Sequence, residues 1–261
     1  TGMSHFFEHL MFKGTNTIGT TDAIKDAAFT NKERVLRNQM LEIIWGGQYE
    51  RFTLGEIDDP WDAKNDTPQL AALRKELKSA MESHRDVIVK DEFFSIFQSE
   101  GANGMNAFTS EDVTFYINQL PANKFELWCW MESDRLKNSV FREFFSERDV
   151  VHEERRMRTD SSPTGVFQEQ FNSMFWQASP YSWPVIGWPS DLNSYTLEEA
   201  RRYFDVYYQP GNLVGVVVGD FDLEAAKYLI LEYFGSLEPN SVEPPPVPTI
   251  EPIQRAPQRM V

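Results

Sequence analysis

Thr1-Gly2-Met3-Ser4-His5-Phe6-Phe7-Glu8-His9-Leu10-Met11-Phe12-Lys13-Gly14 opens the chain, and His5 to His9 form an H-x-x-E-H pattern. An α-helix turns about 100° per residue, so His9 falls roughly 40° from His5 and Glu8 roughly 60° to the other side. The three side chains then share one helix face, within an arc of about 100°. Two imidazoles four residues apart can close on one zinc ion. A carboxylate beside them can take the proton of a zinc-bound water. The stretch itself reads as a helix. Leu10, Met11 and Phe12 are apolar, no proline intervenes, and Gly14 stands where a C-terminal cap is expected. Phe6 and Phe7 are expected to pack this helix into a core. The bland account is two hydrogen-bonded core histidines beside a solvated Glu8. It loses ground because two of the chain's four histidines lie in this one pentapeptide.

Catalytic zinc takes three protein ligands and keeps an open position. The best segment for the third is Glu147-Arg148-Asp149-Val150-Val151-His152-Glu153-Glu154. Glu147 and Glu154 are seven apart and face the same way to within about 20° on a helix. Val150 and Val151 lie on that side, so it is expected to be buried. Two buried acids on one face are costly unless a cation compensates. His152 lies about 160° from Glu154 and is assigned to the surface, and Glu153 points about 100° off.

Residues 1–14 resemble the zinc helix of the pitrilysin-type metallopeptidases, the inverzincins, which include mitochondrial processing peptidase and related bacterial enzymes. Their signature is H-x-x-E-H. A second motif of that family, E-R-x-V-x-x-x-E, supplies the third ligand from its last Glu, which is Glu154 here. Its first Glu matches Glu147, a supporting acid near the site. The resemblance therefore implies Zn2+ on His5, His9 and Glu154, with Glu8 as general base. Residues 104–109 resemble the family's edge strand, where an Asn-Ala pair contacts substrate main chain; this implies a substrate-binding role for Asn106 and Ala107. The spacer from His9 to Glu154 is longer than the family's usual one, and a helical insertion accounts for the excess.

The fold implied is α+β, with helices packed on a mainly antiparallel sheet whose first strands precede this chain. The function implied is a zinc endopeptidase acting on peptides or unfolded segments. Its active chamber would close against a second, related half, on the same polypeptide or a partner subunit, without which cleavage is expected to be poor. The alternative is a non-catalytic structural or partner-binding subunit of the same fold. Such relatives generally lose His or Glu positions of the motif, whereas all four stand here.

The rest of the chain is read from its patterns. Residues 22–90 are expected to form an inserted helical hairpin. Its first helix spans 33–45 and is ended by Gly46-Gly47; an acidic, turn-rich stretch separates it from a second helix marked by Leu70, Leu73, Leu77 and Met81. Strands are expected at 105–109 and 113–119, with Val113, Phe115 and Ile117 on the buried face. Helices follow at about 121–136, with Cys129 a core residue, then at 142–158, 164–176 and from a Thr196 cap. Leu213 to Val218 reads as a central strand, and a helix follows it. Seven of the fifteen prolines fall between Pro239 and Pro257. This marks a linker after a domain boundary near 240, so that 1–240 form the peptidase domain and 241–261 lead toward another domain.

Composition bounds the partners. Across 261 residues, 41% are hydrophobic and 14% aromatic, enough for a substantial core. A net charge of −15 argues against a nucleic-acid or anionic-membrane surface and is compatible with basic peptides. No apolar run reaches the roughly 20 residues of a membrane span. One cysteine excludes an internal disulfide; bacterial periplasm or cell envelope is favoured slightly over cytoplasm. The chain enters the motif helix almost at its first residue and is read as a region of a longer protein.

Overall fold

The computed structural model describes residues 1–239, 242–257 and 259. Helix α1 spans Met3–Leu10. Gly2 caps it at φ +79° and lies against Gly187, where a Cβ would come within 2.5 Å of the Gly187 Cα. A side chain is excluded there on both counts. Gly14 also has positive φ, but α1 has ended by then, so this glycine closes the following turn and does not cap the helix. Phe6 and Phe7 are completely buried, as expected. Phe6 meets Phe144 edge-on at 4.9 Å between ring centroids, and Phe7 packs among Phe141, Tyr203 and Tyr208. These anchors fix the rotation of α1 and turn its polar face away from the core.

The helical hairpin is present. Helix α2 spans Ala23–Ile43, with the Asp22 side chain accepting from the Lys25 amide. It does not stop at Gly46-Gly47. One wide π turn, Ile44–Gln48, carries the chain into α3, Tyr49–Thr53. Glycine in a helix costs about 1 kcal/mol. Here Ile44 is fully buried and Trp45 stacks on Tyr49 and meets Trp61 edge-on, which offsets that cost. Helix α4, Pro68–His84, packs along α2, and an antiparallel bridge between Thr20 and Ile88 closes the root. Inside the root, His84 bonds Asp26 and Glu33, each at 2.8 Å. Asp26 also takes two bonds from Arg142, whose remaining N–H groups donate to the carbonyls of Lys13, Thr15 and Ile18. The hairpin is thereby tied to the loop that leaves α1.

Helix α5, Glu92–Ser99, leads into β1, Asn103–Thr109, and β2, Thr114–Gln119, which pair antiparallel with an irregularity between Asn103 and Asn106. This pair is the sheet among the described residues, and the fold is α+β. The buried face is opposite to the one expected. Phe115 and Ile117 are 48% and 42% exposed, while Thr114, Tyr116 and Asn118 face inward. Tyr116 is held there by the Phe7 carbonyl, the Tyr208 hydroxyl and the Arg135 guanidinium 4.5 Å above its ring. Alternation alone could not show that a hydroxyl-bearing aromatic had partners inside. Phe108 and Phe115 stack on each other outside instead.

Helices α6 (Phe125–Asn138), α7 (Phe144–Arg155), α8 (Pro163–Phe175), α9 (Pro189–Ser194), α10 (Leu197–Tyr207) and α11 (Leu223–Phe234) follow. Cys129 is fully buried, and Thr196 and Glu199 form a capping box on α10. On α7, Val151 is fully buried but Val150 is half exposed. His152 is half-buried beside Arg148 and Asn193, not on the surface as expected. Leu213 to Val218 is not a strand. It has no regular secondary structure, with Val214 and Val218 about nine-tenths exposed and no strand beside it among the described residues. Residues 242–257 of the Pro-rich stretch form neither helix nor strand. They are pinned where the Glu251 carboxylate accepts the amides of Gln177, Ala178 and Ser179. The boundary expected near residue 240 falls at residues outside the described ones. No described helix is long and apolar enough to cross a membrane.

Candidate metal centre

Helix α1 lies against α7, and this contact brings the two remote motifs together. Glu154 Oε2 stands 3.5 Å from His5 Nε2 and 3.3 Å from His9 Nε2. The donor atoms of His5, His9 and Glu154 all lie within 4.8 Å of one another. Neither approach of Glu154 Oε2 makes a hydrogen bond, and this buried oxygen has no other partner. An unsatisfied buried carboxylate oxygen facing two imidazole nitrogens is expensive. Zinc bound at about 2.0–2.2 Å in a tetrahedron separates neighbouring donors by about 3.3–3.5 Å. The spacing here fits that ion, and so does the N, N, O donor set.

The surrounding charges fit it as well. Glu147 Oε2 approaches His9 Nδ1 at 3.4 Å, and its other oxygen pairs with Lys13 at 2.5 Å. Glu143 also reaches Lys13, at 3.3 Å. Arg158, one turn beyond Glu154, pairs with Glu154 Oε1 at 2.7 Å and leaves Oε2 to the imidazoles. Glu143, Glu147 and Glu154 thus pair with two cations, Lys13 and Arg158, and the acids outnumber them beside the imidazoles.

The titrations follow from these contacts. Burial pushes His5 below its usual range, partly countered by Glu154. Burial would lower His9 too, but the Glu147 carboxylate outweighs it and raises the imidazole. Burial would raise Glu147, yet His9 and Lys13 hold it below the usual carboxylate range. Burial works against the Lys13 ammonium, and the carboxylates of Glu147 and Glu143 overcome it.

The residues expected at the centre, His5, Glu8, His9, Glu147 and Glu154, are therefore grouped. Asn106 and Ala107 sit on β1, opposite Ile117 and Tyr116, with Asn106 exposed. Strand β1 ends at the centre, where the Thr109 hydroxyl donates to Glu8 Oε2 at 2.6 Å. Sequence reasoning missed Lys13, Thr109 and Arg158. Arg158 carried a signal, since it stands four residues after an acid on a helix. Lys13 and Thr109 carried none, because their partners are remote.

Residues 194–261 match the family described as Peptidase M16 inactive domain. The zinc protease PqqE of Helicobacter pylori is 38% identical over 138 residues, which cover 51% of this chain and 30% of that protein. An uncharacterized zinc protease of Rickettsia felis is 27% identical over 135 residues, 51% of this chain and 32% of its own. The crystal structure of a protease from Helicobacter pylori superposes with a TM-score of 0.65 at 25% identity, covering 97% of this chain and 44% of that one. The periplasmic protease PqqL from Escherichia coli shares the fold, with a TM-score of 0.58 at 19% identity over 94% of this chain and 20% of that one. The stretches matched span about a third of the length of the curated relatives. The resemblance to pitrilysin-type zinc peptidases is borne out.

Proposed function

We propose that this chain carries the zinc centre of a metalloendopeptidase that cleaves peptides or unfolded segments. The observation that carries the reading is Glu154 Oε2, orphaned between two imidazoles from a remote helix. His5, His9 and Glu154 would hold the ion. Zinc bound there supplies a Lewis acid for the peptide carbonyl and lowers the pKa of water.

The chain's own residues do the rest. Glu8 takes the proton of the attacking water and delivers it to the leaving amine. Glu147 and Lys13 hold His9 in place, and Arg158 holds Glu154. An extended peptide adds along β1, whose outer edge is free among the described residues, near Asn106 and Ala107. A second half closes the chamber, in keeping with the partial cover of the longer Helicobacter protease. The PqqL protease that shares this fold is periplasmic, which favours an envelope location. The complete ligand set speaks for the enzyme over a non-catalytic subunit.

Metal analysis of the full-length protein tests this. His9→Ala and Glu154→Gln are expected to lose zinc. Glu8→Gln is expected to keep zinc and lose cleavage. Wild-type zinc content in the first two variants would remove the assigned centre.

A further inference from the structure

We infer that Thr109 is a positioning residue that presents Glu8 to its proton transfers, acting through a two-hydroxyl relay across the hairpin; this rests on the reading of Glu8 as general base. Thr109 Oγ1 lies 2.6 Å from Glu8 Oε2. An ionised carboxylate only accepts, so the Thr109 hydroxyl donates. Its own oxygen is then free to accept, and Thr114 Oγ1 stands 3.1 Å away. Thr109 and Thr114 are directly paired across the two strands, so the β register sets this second contact. Both side chains are β-branched and stiff about their first torsion. The direction of the relay is thereby defined: Thr114 donates to Thr109, and Thr109 donates to Glu8.

Glu8 has three rotatable bonds and lies at the edge of the α1 face that carries His5 and His9. Thr109 is the side chain that hydrogen-bonds it among the described residues. The bond immobilises Oε2 and leaves Oε1 as the oxygen that exchanges protons. It also fixes where Oε1 can point. Thr109 lies two residues beyond Ala107, on the same face of β1. The strand on which the peptide would dock is therefore the strand that aims the base. Docking and base placement share one rigid element.

The test uses the zinc-loaded full-length protein and a quenched fluorescent peptide that it cleaves. Thr109→Val keeps shape and removes the hydroxyl. It should retain wild-type zinc content and a similar melting temperature, and lower kcat by about 10- to 100-fold with KM within about twofold. Thr109→Ser restores the hydroxyl and should recover kcat to within about threefold, and Thr114→Val should lower kcat in the same direction by less. Undiminished kcat in Thr109→Val overturns the inference. So does a Thr109→Ser variant as slow as Thr109→Val, since packing of the methyl group would then carry the effect. Should Thr109→Val fail to fold, undiminished kcat in Thr114→Val overturns the relay. Glu8→Gln separates the two levels. If it still cleaves, the base assignment itself fails; if it is inactive while Thr109→Val is unimpaired, the positioning role alone falls.

Discussion

Glu147 touches the centre through another residue. It faces His9 Nδ1 while His9 Nε2 faces Glu154, so in the proposed centre it would fix the ring orientation and the nitrogen left for metal. Removing such a partner costs about 10- to 100-fold in metal affinity. Glu147→Gln should weaken zinc binding by about that much in a competition titration, without abolishing it. Unchanged affinity would show that Glu147 does not orient the ring. At this scale the sequence was unevenly legible. His5, Glu8 and His9 are neighbours on one helix, and local geometry alone puts them together. Thr109 is a hundred residues from Glu8, and nothing in its surroundings marks it. Its role exists because a strand end meets a helix face.

Among the elements, the hairpin root is the most charged part of the interior. His84 is buried between Asp26 and Glu33, and their carboxylates overcome burial to raise it from 6.5 to about 9. A histidine raised on folding stabilises fully below its unfolded value and loses that stabilisation as pH rises through the folded one. The window is thus from about 6.5 to about 9. A shift of this size corresponds to about 3 kcal/mol. The melting temperature should fall between pH 7 and pH 10, and fall less in His84→Gln. A flat profile in the wild type would mean that His84 is not charged in the fold. Helix α1 depends on packing in a more ordinary way. Phe7→Ala should cost about 3–5 kcal/mol, read by denaturant unfolding. A loss below about 1 kcal/mol would mean that α1 is not anchored by this ring.

Two errors of sequence reasoning also belong to elements. The β1–β2 hairpin shows its phenylalanines to solvent because Tyr116 has partners inside. Residues 46 and 47 are helical because Trp45 and Ile44 are held on either side of the chain. In both cases the local pattern was read correctly and the tertiary partners decided otherwise.

For the molecule as a whole, the proposed ion joins α1 to α7 and acts as a crosslink between segments far apart in sequence. A ligand that binds the folded state alone stabilises it by about 2.7 kcal/mol at a hundredfold excess over its dissociation constant. Stripping zinc with a chelator should therefore lower the melting temperature by several degrees, and restoring zinc should reverse it. An identical melt with and without chelator would leave the two helices without a metal link. Wild type and Glu154→Gln should differ in zinc but coincide once zinc is removed.

The sequence by itself determined the candidate ligands and most of the helices. The histidine pair, the acid beside it and the second acidic motif are each visible within one or two helical turns, where spacing dictates direction. The tertiary structure alone decided which face of the hairpin is covered and which hydroxyl bonds Glu8. Those outcomes depend on elements that meet through packing, and residue spacing along a chain carries no information about what lies across a contact.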